Sequence, residues 1–399
     1  DLNQWFFKIT DYADRLIDDL KLINWPDRIK KMQENWIGKS KGAEVNFRAK
    51  SPTTGEEFDL PIFTTRVDTI FGVTFMTLAP EHKLVEKLTH PDNKAAVDAY
   101  IVESRKKSEI DRLSTDKEKT GVALGSYAIN PFNGAKVPIY IGDYVLAGYG
   151  TGAVMAVPAH DERDFAFAKK HNISIIEVIT PEGKPQGELK EAYTEYGTLI
   201  NSGQFNGLKS EQAIEKMIEW LKEKKKGCGR INYKFRDWLI SRQRYWGAPI
   251  PIIHCDCCGA VPVPEDQLPV LLPDVKEFKP GTDGKSPLAA ITDWVNTTCP
   301  KCGKPAKRET DTMDGFACSS WYFLRFVSPK CKEFAFDKEK AKYWAPVDLY
   351  VGGAEHAVMH LLYARFWTKV MYDAGLISFV EPFQQLRNQG MMLAAGGVK

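Results

Sequence analysis

The sequence predicts a mixed α/β protein of two or three domains, and three observations predict it. Helical periodicity runs through the opening stretch. After Gly38-Lys39-Ser40 the pattern changes to alternating strands. Late in the chain, Asp348-Leu349-Tyr350-Val351 reads as a buried strand entering a Gly-Gly turn that opens a helix, a Rossmann-like nucleotide-binding layout. With 399 residues, 43% apolar content and 30 Gly, the chain can bury at least one large core. No run approaches the roughly 20 apolar residues of a membrane span. The start, Asp1-Leu2-Asn3-Gln4-Trp5, lacks the basic and apolar regions of a signal peptide. The expectation is a cytoplasmic, globular protein with no membrane partner. Lys plus Arg number 54 against 52 for Asp plus Glu, so local patches, not bulk charge, must argue for any nucleic-acid partner.

Taken in order, Tyr12, Leu16, Leu20 and Ile23 mark a first helix broken by Trp25-Pro26, and a second runs towards Trp36. Val45-Phe47-Ala49 and Phe58-Leu60-Ile62 alternate as strands around the turn Ser51-Pro52-Thr53-Thr54-Gly55. Helices are expected near 82–107, 160–171 and 210–226, with a polar surface loop or hairpin over 180–207. The run Lys222 to Arg230 is basic, and alone it reads as a solvated helix end. Tyr233, Phe235, Arg236, Trp238, Arg242, Arg244, Tyr245 and Trp246 then interleave basic and aromatic groups, which suits phosphate neutralisation and stacking on unpaired nucleotides.

The eight cysteines, all but Cys228, lie late in the chain. Cys255-Asp256-Cys257-Cys258-Gly259 and Cys299-Pro300-Lys301-Cys302-Gly303 form two Cys-x-x-Cys-Gly knuckles. Each presents two thiolates while its glycine lets the backbone curl under an ion. Cys255, Cys258, Cys299 and Cys302 are therefore candidate ligands of a closed, structural zinc site. Cys257 could replace either neighbour in a shifted register. Secretory disulfides are the alternative.

The segment Gly150-Thr151-Gly152-Ala153-Val154-Met155-Ala156-Val157-Pro158-Ala159-His160-Asp161-Glu162-Arg163-Asp164 takes a small-residue turn into a short apolar strand that ends in a proline and a cluster of acids. Asp161 and Asp164, at i and i+3, share one face of a helix starting there. Upstream, Thr64-Thr65-Arg66-Val67-Asp68-Thr69 offers hydroxyls and a guanidinium. Together they could hold an ammonium group and read a small side chain. The plain reading makes Asp161 a helix cap and the threonines strand residues.

These two motifs, in this order, closely resemble the hydrolytic editing site of leucyl-tRNA synthetases, in which Val67 would replace a proline. Arg236-Asp237-Trp238-Leu239-Ile240-Ser241-Arg242-Gln243-Arg244-Tyr245-Trp246-Gly247-Ala248-Pro249-Ile250-Pro251 resembles that family's re-entry into the catalytic core. The resemblance implies a mixed α/β editing domain (CP1) with a β-barrel-like core at 41–234. This domain would be inserted into a partial Rossmann-like class I synthetase domain, formed by core helices and linker at 1–40 and by 235–399, with a zinc-knuckle subdomain at 254–310. It further implies catalytic roles for Thr64, Thr65, Arg66, Thr69, Asp161 and Asp164, and a substrate pocket of Tyr149, Met155, Val157 and His160. Asp164, helped by Asp161, would pair with the α-ammonium of a misattached residue, and Thr69 would exclude leucine. Thr64, Thr65 and Arg66 would orient the terminal ribose and the attacking water.

By the same resemblance Gly353, Glu355 and His356 would meet the ATP ribose, and Gln389, Gly390 and Met391 the adenine. Trp321-Tyr322-Phe323-Leu324-Arg325 would lie near the bound amino acid, or be a core strand. The family's His-Ile-Gly-His and Lys-Met-Ser-Lys-Ser motifs are absent. The expectation is an internal, monomeric fragment that edits tRNA(Leu) esters but forms no leucyl-adenylate. Valyl and isoleucyl synthetases, or a non-catalytic tRNA- or zinc-binding module, are the alternatives. His356 and His360 have a metal-binding spacing, but the order of a His-Glu-x-x-His hydrolase is missing.

Overall fold

The computed structural model describes residues 3–108, 111–112, 119–147, 150–275 and 284–390. The chain divides into two compact units, Asp1–Lys39 with Tyr233–Lys399, and Ser40–Asn232. No helix among the described residues is long and apolar enough to cross a membrane.

The opening helices are α1 (Ala13–Asp18), flanked by 3-10 turns, and α2 (Asp27–Ile37). α2 buries Ile29, Gln33 and Ile37, one per turn, and ends at Gly38 with φ +59°. A β-carbon on Gly38 would stand 2.5 Å from Lys234 Cβ, so this left-handed exit requires glycine.

The Ser40–Asn232 unit is built on β1 (Ser40–Lys50), β2 (Glu57–Thr64), β3 (Phe75–Leu78), β4 (Val122–Ile129), β5 (Lys136–Ile141), β6 (Ala153–Ala156) and β7 (Gly227–Asn232). They form one seven-stranded sheet in the order β7-β1-β4-β5-β3-β6, with β2 paired to β1. Only β3 and β5 pair in parallel. Val45, Phe47 and Ala49 point inward from β1, as the period of two requires, against Leu60 and Ile62 of β2. Helices α3 (Lys94–Arg105), α4 (Glu162–Lys170) and α5 (Ser210–Glu223) complete the unit, and Ala213, Met217 and Leu221 carry α5 into its core. The expected barrel is not closed by hydrogen bonds: β2 and β6 run close to each other without a ladder between them. The 180–207 region is a hairpin pinned by Ile179–Thr180 against Thr198–Leu199.

In the other unit, β8 (Ile252–Cys255), β9 (Gly259–Pro262), β10 (Asn296–Thr298) and β11 (Pro305–Arg308) make a four-stranded sheet ordered β9-β8-β11-β10. The strand β12 (Val347–Val351), the helix α6 (His360–Asp373) and the strand β13 (Phe383–Arg387) follow, with β12 and β13 pairing in parallel. Buried on α6, Arg365 makes two 2.8 Å bonds to Glu381, one of 2.6 Å to Gln33 and one of 2.8 Å to the Leu16 carbonyl. Lys369 reaches Asp19 at 2.6 Å and Glu381 at 2.7 Å. This network ties α1 and α2 to the end of the chain. Trp321-Tyr322-Phe323-Leu324-Arg325 is not a strand: Tyr322–Phe326 is a short helix packed on Phe383 and His360.

Candidate functional site

The two motifs meet through the sheet. β2 delivers Thr64 to a turn in which Thr64 Oγ1 accepts the Arg66 N–H at 3.0 Å, and a 3-10 turn, Val67–Gly72, follows. Thr69, 3% exposed, donates its hydroxyl to the Arg66 carbonyl at 2.7 Å. β3 leads out of that turn into its ladder with β6, which sets Met76 opposite Met155. Val67, Ile70 and Val157 share the core, with Met155 packed on it. Gly72 passes so near the second motif that a β-carbon there would stand 3.2 Å from Val157 Cγ1.

A third segment, Tyr193 to Tyr196, clamps both motifs. The Tyr193 N–H donates to the Ala159 carbonyl at 2.9 Å, and His160 Nδ1 meets the Tyr193 carbonyl at 2.8 Å. His160 Nε2 accepts the N–H groups of Val178 and Ile179 at 3.1 and 3.2 Å. Both ring nitrogens are thus engaged by backbone, which requires the neutral ring with its proton on Nδ1. Burial, first, pushes the His160 pKa down to about 4, the Tyr193 carbonyl opposes this, and the Arg66 charge adds to it. Arg66 grips Asp68, which is fully buried, through Nε and Nη2, each at 3.1 Å. Its Nη1 donates to the Thr194 carbonyl at 2.9 Å, and its guanidinium lies 4.5 Å over the Tyr196 ring. Arg66 and His160, expected at the substrate, have their polar atoms engaged in holding the walls. Thr65 instead lines a cavity of about 490 Å³ with Lys41, Gly42, Tyr196, Ile218 and Arg230.

The two acids are adjacent, as their spacing demands. Asp161 caps α4, its Oδ1 accepting the Asp164 N–H at 2.9 Å, so the plain reading of that residue is correct as far as it goes. Its side chain remains 41% exposed. Asp164 is buried: Oδ2 accepts the Val157 N–H at 2.9 Å, and Oδ1 receives Lys119 Nζ at 2.6 Å. Burial, first, raises the Asp164 pKa, and Lys119 lowers it. Lys119 also lies 4.6 Å over the Tyr144 ring, whose hydroxyl is 2.7 Å from Thr77 Oγ1. Neither Lys119 nor Asp68 stands out in the sequence by a motif of its own, although Arg66 and Asp68 at i and i+2 are a usable signal. Tyr149 lies outside the described residues.

In the other unit the strand ends predicted for nucleotide binding come together. The Gly352 N–H donates to the Arg387 carbonyl at 3.1 Å, and Asn388 Nδ2 donates to the Gly352 carbonyl at 2.8 Å. Gly353 and Glu355 therefore stand beside the exposed Gln389 and Gly390 at the carboxyl ends of two parallel strands. The Glu355 carboxylate folds back over Gly353, where a β-carbon would stand 2.2 Å from it. His360 Nε2 bonds Tyr350 Oη at 2.9 Å, while Nδ1 of His356 and of His360 is buried without a partner among the described residues. Met391 lies outside the described residues.

The sulfurs of Cys255, Cys258, Cys299 and Cys302 lie within 4.8 Å of one another, with Cys255 and Cys302 3.6 Å apart. A tetrahedral Zn–S bond of about 2.3 Å separates sulfurs by about 3.8 Å, so this set fits the ion. Cys257 is exposed and meets Lys304 Nζ at 3.2 Å, away from the four.

The basic and aromatic stretch corrects one expectation. Phe235 and Trp238 are core residues, Trp238 stacking on Tyr363 at 3.9 Å, and Arg242 is paired with Asp314 at 2.7 Å. The two aromatic rings are withdrawn from bases, and Arg242 is committed to a carboxylate. The basic run turns directly into β7, where Arg230 pairs with Glu44.

Residues 34–222 match the family model for the leucyl-tRNA synthetase editing domain, and residues 207–399 that for class I tRNA synthetases (I, L, M and V). A leucine–tRNA ligase of Dehalococcoides mccartyi is 59% identical over 394 residues, 99% of this chain and 48% of the relative. One of Clostridium beijerinckii is 57% identical over 399 residues, 100% of this chain and 48% of the relative. The chain thus spans about half the length of these relatives. A crystal structure of the Agrobacterium radiobacter K84 agnB2 LeuRS-tRNA-LeuAMS ternary complex superposes with a TM-score of 0.77 at 41% identity, over 97% of this chain and 44% of that one.

Proposed function

Because the chain belongs to the leucyl-tRNA synthetase family, we propose that its Ser40–Asn232 unit hydrolyses tRNA(Leu) carrying a wrong amino acid, within an enzyme that joins leucine to that tRNA using ATP. The carrying observation is the acid pair at the start of α4, bonded through Asp164 to the Val157 N–H, with Val157 in one core with Val67 and with Met155 packed on that core. The leucyl-specific match over 34–222 favours this over a valyl or isoleucyl reading.

Discrimination physics explains the need. A pocket that rejects a side chain one methylene different gains only about 1–3 kcal/mol, a magnitude known from other synthetases of this class, so a second, hydrolytic site must remove what slips through. The misattached residue's α-ammonium meets Asp161 and Asp164. Thr69 crowds the branched end of leucine. Thr65, on its cavity, and Thr64 place the ribose and the attacking water, and no side chain acts as a covalent nucleophile. His160 and Arg66 act by locking the walls.

Residues 41–234 are read as the inserted editing domain, with the edges of β2 and β6 closing a barrel-like core. Residues 1–40 and 235–399 belong to the synthetic core, where Gly353, Glu355, His356, Gln389, Gly390 and Met391 would hold ATP. The four cysteines of the 254–310 region would hold zinc, which binds the knuckles together and takes no part in hydrolysis. The protein would act as a cytoplasmic monomer.

The test is hydrolysis of isoleucyl- or norvalyl-tRNA(Leu) at high protein concentration, with binding of a non-hydrolysable norvalyl-adenosine analogue measured in parallel. Hydrolysis of the wrong ester supports the reading; the absence of both hydrolysis and analogue binding overturns it.

A further inference from the structure

Asp164 carries a problem of its own. It is 6% exposed, and a carboxylate in that setting is driven to take a proton, which would cancel its attraction for an ammonium ion. Among the described residues, the charged and titratable groups facing it are Lys119, the Asp161 carboxylate and the Tyr144 ring, with the Val157 N–H on Oδ2. Of these only Lys119 is cationic. Its side chain and that of Asp164 are each 9% exposed, their charged atoms are 2.6 Å apart, and the same ammonium stands 3.7 Å from Asp161.

The charges count out in a simple way. Asp161 and Asp164 contribute two negative charges and Lys119 one positive, which leaves one negative charge, the amount a single α-ammonium neutralises. The internal ammonium is held from below by the Tyr144 ring, and the Tyr144 hydroxyl is anchored by Thr77. It is therefore built in, and its partner atom on Asp164 is fixed before any ligand arrives.

Resting on the editing reading above, we propose that Lys119 is a positioning residue for ester hydrolysis: its ammonium keeps Asp164 an anion and sets the acid pair to a net charge matched to one substrate ammonium. The exposed Asp161 then offers the outer contact, and Asp164 acts as the fixed inner charge. Without Lys119, the buried carboxyl keeps a proton to higher pH, and an arriving ammonium must expel it.

Three forms of the 399-residue chain test this: wild type, Lys119→Met and Lys119→Arg, each checked for folding by its melting transition. The first readout needs no ligand. A ¹³C carboxyl titration should find Asp164 ionising about one to three pH units higher in Lys119→Met than in wild type, the usual effect of losing an adjacent opposite charge, with Lys119→Arg close to wild type. The second readout is kcat/KM for norvalyl-tRNA(Leu) against pH, in which the acid limb should move upward by the same interval in Lys119→Met and return in Lys119→Arg. Calorimetry of norvalyl-adenosine analogue binding in two buffers should detect proton release in Lys119→Met only. An Asp164 titration unchanged in a folded Lys119→Met, or an unmoved acid limb, overturns the proposal while leaving editing intact. A wild type that neither binds the analogue nor hydrolyses the ester defeats the editing reading, and this proposal with it.

Discussion

In the Ser40–Asn232 unit, Arg66, His160 and Asp164 each have their polar atoms engaged by groups of the protein itself. At the carboxyl ends of β12 and β13, by contrast, His356 and His360 keep a buried Nδ1 with no partner among the described residues, and Leu349 and Val351 are 52% and 62% exposed. Both places are candidate sites, but they are organised differently. The candidate site beside α4 is tied together by its own side chains, which hold each other. The end of β12 and β13 has glycine backbone, a folded-back Glu355 and ring nitrogens that meet no partner among the described residues, the condition of a candidate site to be completed by what binds it.

If that contrast is right, the largest effect comes from Asp164→Ala. It removes the inner charge and strands the buried Lys119 ammonium, so hydrolysis should fall by about 10²-fold or more and the unit should lose about 3–5 kcal/mol. Retained hydrolysis in this variant would break the assignment. Next comes Glu381→Gln in the other unit, which takes one carboxylate from both Arg365 and Lys369. Denaturant unfolding should register a loss of about 3–5 kcal/mol there while hydrolysis of the wrong ester persists.

Histidine titration sharpens the comparison. Burial holds His160 and His360 at about 4, below the usual histidine value. A depressed folded value means that the stabilisation is full above about 6.5 and is lost as pH falls towards about 4, by up to about 3 kcal/mol for each ring. Melting temperature should therefore drop across that window, and His160→Gln should flatten its share of the slope. An equally steep slope in that variant would contradict the clamp.

Much of the site was legible because its parts are local. The small-residue turn, the apolar strand, the proline and the capping Asp161 lie within one stretch, and the two Cys-x-x-Cys-Gly knuckles announce their own geometry. What was not legible depends on pairing across the chain. Lys119 sits in a run of ordinary charges and finds Asp164 only after β4, β5 and β6 have folded. The Tyr193 to Tyr196 clamp lay in a stretch with no period, read as loop or hairpin. Interleaved aromatic and basic residues from Tyr233 to Trp246 suggest a nucleic-acid face, but periodicity cannot tell a stacking platform from a core, and Trp238 belongs to the core.

The smallest structural change gives the most direct test. Thr69→Ala removes one hydroxyl and one methyl group from the wall, a change worth about 1–3 kcal/mol of discrimination, or about 10–200-fold. Hydrolysis of leucyl- and norvalyl-tRNA(Leu) should be measured side by side with wild type and Thr69→Ala. Wild type should spare the leucyl ester, and Thr69→Ala should hydrolyse both. Equal sparing of leucyl-tRNA by the two proteins, or equal hydrolysis of both esters by wild type, would contradict that expectation.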